Sequence, residues 1–188
     1  LLFFFVTVFI SLALGKQVFA SEHPKKFTVI TTVAPITNMV RNIGGVYIDV
    51  IGVVPDGVDS HTFEPIPSDI KTLQAADLII ANGLDLELPT LKLAEKVKKP
   101  ATRVVQLGNR TLKEEDWQYD FSFPREHGHP NPHLWLNIQL VMQYAEIIRD
   151  SLSELDPKHQ EQYFLNTETY LAKLTKLDQA IFACVKTI

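Results

Sequence analysis

The chain has 188 residues, 46% of them hydrophobic and 21% charged, with a net charge of -4. It is long and apolar enough for one domain with a sizeable core. The acidic balance argues against the basic face of a nucleic-acid binder, and a single cysteine, Cys184, excludes an internal disulfide framework.

Residues 1 to 14 form an apolar run broken only by Thr7 and Ser11, and Val18-Phe19-Ala20 follows ahead of Ser21. The run is shorter than the roughly 20 apolar residues of a membrane span and ends near a small-residue cleavage pattern. Residues 1–20 are expected to be a secretory signal peptide lacking its basic start, and the mature chain an exported protein. No cysteine lies near Ala20, so lipid anchoring through an N-terminal cysteine is not expected. Cleavage there would expose Ser21-Glu22-His23, whose amine, amide nitrogens and imidazole suit square-planar Cu(II) or Ni(II). The same residues read equally as an exposed tail without a role.

Phe27 to Val33 is β-branched and alternating, which predicts a strand. Pro35 to Ile43 places Ile36, Met39, Val40 and Ile43 on one face and stops at Gly44-Gly45, which predicts a helix. Tyr47–Val54 reads as a second strand, 67–76 as a short helix and 77–81 as a buried strand. Leu88–Lys98 reads as a helix closed by Pro100, and Arg103–Leu107 as a fourth strand. Strands alternating with helices predict parallel βαβ units in a three-layer α/β lobe.

Residues 108–132 are charged, aromatic and rich in Pro and His, and read as one long loop. A helix beginning at Asn137 carries Val141, Tyr144, Ala145, Ile148 and Leu152 on one face. Asp156-Pro157 signals another, with Asp as N-cap. In that last helix Tyr163, Thr167, Tyr170, Leu174, Leu177, Ile181 and Cys184 recur at helical spacing to about Val185. So long an apolar stripe needs cover along its whole length. The lobe behind it is expected to cover only half.

Two of the six histidines sit where chemistry is expected. His61 lies in Asp59-Ser-His-Thr-Phe-Glu-Pro65, directly after the second strand. His133 lies in Asn131-Pro-His-Leu-Trp-Leu-Asn137, just before a helix. Ligands in open α/β sheets bind beyond the carboxyl ends of the strands, and two imidazoles there can converge on one divalent metal. Each taken alone reads first as an ordinary loop histidine, and it is the pair that points to a metal. His127 and His129 cannot join His133 in a helical pair, because Pro130 and Pro132 forbid that helix. They read as an auxiliary metal collector or as solvated loop residues. Gly44-Gly45 lacks any phosphate-binding pattern, no Gly-x-Ser-x-Gly elbow exists, and Glu114-Glu115-Asp116 reads as a solvated charge run.

Taken in order, Asp59-Ser-His-Thr-Phe-Glu-Pro with Pro67-Ser-Asp69, Ala76-Asp-Leu-Ile-Ile-Ala-Asn-Gly83 and Asn131-Pro-His-Leu-Trp-Leu-Asn137 form a recognisable set. Together with Ile30-Thr-Thr-Val-Ala-Pro35 and Asp156-Pro157, they resemble the periplasmic zinc/manganese-binding proteins of ABC transporters. The resemblance implies two α/β lobes joined by a long rigid helix, with metal bound between them. Residues 21–155 would form the N-terminal lobe and 156–188 the linking helix, with a second lobe beyond Ile188. His61 and His133 match the two ligands of the first lobe, and the other two fall outside this sequence. Asn131 departs from the pattern, since Asp often precedes the Pro-His, and the departure is not expected to matter.

The implied function is capture of Zn2+, with Mn2+ the alternative, and delivery to an ABC permease in the membrane. The protein would be periplasmic, monomeric when full length, and no enzyme. The resemblance also permits an adhesin-like surface role. The competing reading is a secreted zinc-dependent hydrolase using the same histidines. It needs a third ligand, an open coordination position and a general base.

Overall fold

A computed structural model describes residues 25–186. The leader and the His23 terminus lie outside the described residues. Four strands, β1 (Phe27–Thr31), β2 (Ile48–Gly52), β3 (Leu78–Ala81) and β4 (Arg103–Gln106), form a parallel sheet in the order β2-β1-β3-β4. The chain winds outward from β1 to β2, then returns to build β3 and β4 on the other side. The crevice between the carboxyl ends of β1 and β3 is therefore the topological switch point, the usual ligand position in such sheets.

Among the described residues six α-helices accompany the sheet: α1 (Ala34–Gly44), α2 (Pro67–Ala75), α3 (Leu88–Val97), α4 (Leu107–Thr111), α5 (Ile138–Leu155) and α6 (Gln160–Val185). Successive strand side chains point to opposite faces, and both faces are apolar. Val29, Leu78 and Ile80 join a large core with Ile36, Val40, Tyr144, Ile148 and Tyr163 from α1, α5 and α6. Ile30 and Ile79 point the other way, into a smaller core with Leu73, Ala76 and Ala94 at α2 and α3. The result is the three-layer α/β arrangement expected from the alternating elements.

Local signals explain most boundaries. Pro35 and Pro67 occupy first-turn positions of α1 and α2, where a missing N–H costs nothing. The backbone N–H groups of Gln139 and Leu140 donate to the Asn137 side chain, which caps α5. Three expectations need correction. The stretch read as one loop after β4 contains α4 and several 3-10 turns. The second strand starts at Ile48 because Gly45–Tyr47 form a 3-10 turn, and it ends at Gly52 rather than Val54. Asp156 precedes a 3-10 turn at Pro157–His159 and its side chain does not cap the backbone. It accepts hydrogen bonds from His159 Nδ1 at 2.6 Å and from the Tyr163 hydroxyl at 2.8 Å. Two side-chain donors have displaced the cap.

The last helix divides into two halves. Tyr163, Thr167 and Leu174 are buried against α1 and α5. Beyond them Leu177, Ile181, Phe182 and Val185 are 48–63% exposed. Cys184 is exposed as well. Among the described residues no helix is long and apolar enough to cross a membrane.

Candidate metal site

His61 and His133 meet at the carboxyl end of the sheet, with their Nε2 atoms 3.2 Å apart. Two nitrogens each about 2.0–2.1 Å from one tetrahedral zinc ion stand about 3.3–3.4 Å apart, so the spacing suits a shared ion. Phe123 lies against both rings, at 5.8 Å from His61 and 5.5 Å from His133. Trp135 meets His133 edge-on at 5.1 Å. This aromatic wall limits where the rings can turn.

The two imidazoles arrive by different routes. Beyond β2, the backbone N–H groups of Val53 and Val54 donate to Thr31 and Thr32 carbonyls, prolonging the pairing with the β1 chain. The chain then turns at Asp59, whose carboxylate accepts the backbone N–H of His61 at 2.9 Å. His61 itself is exposed. His133 is held more closely. Its backbone N–H and its Nδ1 both reach the Asn131 side-chain oxygen, at 3.0 and 2.8 Å. The other end of that amide donates to Asp120 at 2.7 Å. A carboxylate only accepts, so the amide nitrogen faces Asp120 and the oxygen faces His133. Nδ1 of His133 therefore carries the proton, and Nε2 presents its lone pair to the cleft. An acceptor behind the ring is the usual way a metal-ligating histidine is oriented.

Burial and the neighbouring His61 push the His133 pKa below the ordinary imidazole value, against the opposing pull of Asp120. The ring is thus kept neutral, as ligation requires. The amide of Asn131 holds Asp120 below the usual carboxylate range against the opposing effect of burial, with lesser help from the backbone N–H groups of Ser122 and Phe123.

Beneath the site lies a buried polar cluster at the switch point. Glu87, 2% exposed, accepts from the Thr32 hydroxyl and from the backbone N–H groups of Asn82 and Gly83. Desolvation nevertheless raises its pKa above the ordinary value. Asn82 is fully buried, accepts from the Tyr144 hydroxyl at 3.0 Å and donates to the Pro132 carbonyl at 2.9 Å. That carbonyl immediately precedes His133, so the core of the sheet grips the ligand loop directly. Gly83, Leu84 and Asp85 follow with φ of 81°, 53° and 63°. Left-handed backbone is uncommon for Leu, and here burial of its side chain holds it in place.

The structure brings His61 and His133 together and sets His127 and His129 to one side. Those two line an adjoining cleft of about 250 Å³ with His61, Asp85, Phe123 and Pro132. His129 Nδ1 stands 3.0 Å from the Asp85 carboxylate. No group of three or more potential ligand residues is gathered into one metal site among the described residues. His159 lies at the opposite end of the sheet, stacked on Tyr47. Sequence reasoning missed Asp120, Asn82, Glu87 and Tyr144. Only Asn131, two residues ahead of His133, carried a local signal, because Asx side chains accept backbone N–H groups two residues on.

Comparison with known proteins gives the family. The family model "Zinc-uptake complex component A periplasmic" matches residues 29–188. The iron-binding protein YfeA of Yersinia pestis is 35% identical over 84% of this chain and 49% of its own length. The manganese ABC transporter substrate-binding lipoprotein PsaA of Streptococcus mitis is 36% identical over 95% of this chain and 57% of its own. This chain thus spans about half the length of the curated relatives it matches. Among solved structures, the Mn-bound periplasmic metal binding protein of Candidatus Liberibacter asiaticus superposes with a TM-score of 0.69 at 30% identity. The match covers 79% of this chain and 53% of that one. A Cd-bound form of the protein from that organism matches with a TM-score of 0.68. On the family model and these relatives together, the chain belongs to the zinc-uptake component A family of periplasmic metal-binding proteins.

Proposed function

We propose that this chain is the metal-capturing N-terminal part of an extracytoplasmic solute-binding protein that delivers a divalent transition metal to an ABC permease. The observation that carries this reading is the convergence of His61 and His133, with Nε2 atoms 3.2 Å apart. Two imidazoles fill half of a tetrahedral shell, and a second lobe closing on the ion would supply the rest. A shell completed by protein leaves no open position for a reacting water, which favours binding over hydrolysis. The relatives, named as metal-binding or transporter substrate-binding proteins, support the same choice.

Burial supports a division of labour. Residues 21–155 are the metal-binding lobe and 156–188 the helix leading to a second lobe. The exposed Leu177, Ile181, Phe182 and Val185 support this, since an apolar helix face of that size needs a partner. His127 and His129, in the cleft beside His61, are placed to collect ions on their way in. The cargo is Zn2+ before Mn2+, because two neutral imidazole nitrogens suit zinc, whereas manganese prefers oxygen. Relatives named for manganese and for iron keep Mn2+ and iron as the competitors to be measured.

Calorimetric titration of the full-length periplasmic protein with zinc and with manganese tests this. His61→Ala and His133→Ala are each expected to weaken zinc binding at least about 100-fold while the far-ultraviolet circular dichroism stays unchanged. Unchanged affinity in either variant contradicts the assignment.

A further inference from the structure

The orientation of the Asn131 amide decides which nitrogen of His133 faces the cleft. With its oxygen toward the ring, the amide accepts a hydrogen bond from Nδ1–H and leaves the Nε2 lone pair facing His61 and the cleft. Turned over, it would present N–H to Nδ1, and the proton would move to Nε2, the atom that must hold the metal. An amide is close to symmetric in shape, so packing alone distinguishes the two orientations poorly. Hydrogen bonding has to distinguish them.

Asp120 is built to do so. Its Oδ2 takes the Asn131 amide at 2.7 Å, a charge-assisted bond that only the nitrogen end can make. Its Oδ1 takes the backbone N–H groups of Ser122 at 2.8 Å and Phe123 at 3.0 Å, so the carboxylate cannot swivel. The backbone N–H of His133 favours the same amide orientation through a bond of 3.0 Å between neutral groups. Turning the amide over would set oxygen against carboxylate and N–H against N–H, losing both bonds together. The same carboxylate that orients Asn131 also fixes Phe123, the ring lying against both histidines.

We infer that Asp120 is a positioning residue that sets the metal-binding tautomer of His133 through the Asn131 amide. The inference rests on the reading of His133 as a ligand for its consequence in metal binding, though its structural part stands without any metal. It also gives Asn131 a cost. A carboxylate at position 131 would accept from Nδ1 in either orientation, whereas an amide needs a second residue to hold it the right way round.

Nitrogen-15 NMR of the metal-free full-length protein, at a pH where histidines are neutral, reads the tautomer directly. The wild type is expected to show His133 protonated at Nδ1. Asp120→Ala, a change at an exposed side chain, is expected to shift the ring toward the Nε2-protonated form and weaken zinc binding about tenfold or more. Adding Asn131→Asp to Asp120→Ala is expected to restore both the tautomer and the affinity. An unchanged tautomer in Asp120→Ala overturns the inference. So does a double variant as impaired as the single one, which would assign the effect to the Phe123 turn. A shifted tautomer with zinc affinity unaltered in both Asp120→Ala and His133→Ala would uphold the relay and overturn the metal-binding reading.

Discussion

The two loops that bring the histidines together are held very differently. His133 sits on a segment tied at every step. Asn131 accepts from it, Pro132 is gripped by buried Asn82, and Trp135 and Phe123 flank the ring. The loop from Val54 to Pro65 is anchored at its start by pairing with the β1 chain and near its end by Phe63 against the core, while its tip carries the local turns at Pro55–Val58 and Asp59. One ligand is pre-organised by the core of the domain. The other is presented on an exposed loop. A site assembled this way has a fixed reference point and an adjustable arm, which suits an ion that has to enter and later leave.

Breaking the tied side should do the most damage. Asn82→Ala would leave the Tyr144 hydroxyl without its acceptor inside the core and take from the Pro132 carbonyl one of its two donors, the other being the Leu134 N–H. An unsatisfied buried group costs about 1–3 kcal/mol, so urea unfolding should show a loss on that order. Zinc affinity should fall with it, because the His133 loop loses its anchor. A variant as stable as wild type would remove the buried cluster from the explanation.

The adjustable arm should respond more gently. Asp59→Ala deletes one exposed turn contact to the His61 backbone, and a stability change within about 0.5 kcal/mol is expected. Zinc affinity should weaken by only a few-fold, through the entropy of ordering a looser loop. A loss as large as that in Asn82→Ala would show that both loops are equally pre-organised.

The smallest effect concerns protonation. His133 sits below the ordinary imidazole value of 6.5 because of burial and the nearby His61. A depressed pKa means that the neutral, metal-binding ring persists as pH falls through the ordinary histidine range and is lost only below it. NMR titration of the metal-free protein should place the His133 midpoint under 6.5. A midpoint at or above that value would contradict the desolvated setting described for the ring.

Much of this frame was readable from residues alone. The β-branched runs at Phe27–Thr31 and Leu78–Ala81 and the proline starts of α1 and α2 are local signals, and they set the parallel α/β architecture. The pair His61 and His133 was also visible, because each stands in a short loop next to a regular element. What was hidden depends on distance in the chain. Gly108 and Asn109 are poor helix formers, yet α4 forms where Gly108 fits tightly beside Leu84 and the Asn82 carbonyl. The left-handed turn at Leu84 and Asp85 uses residues that favour the right-handed region, so only packing reveals it. Asp120 looked like one more charge in a polar loop. Its meaning comes from facing Asn131, a relation set by the tertiary fold.

The most direct test is anomalous diffraction at the zinc edge from crystals of the zinc-loaded full-length protein. A single strong peak is expected about 2.0–2.1 Å from Nε2 of both His61 and His133, with Nδ1 of His133 still facing Asn131. A peak bound through Nδ1 of His133 would contradict the arrangement described here, and so would one seated on His127, His129 and Asp85 away from His133.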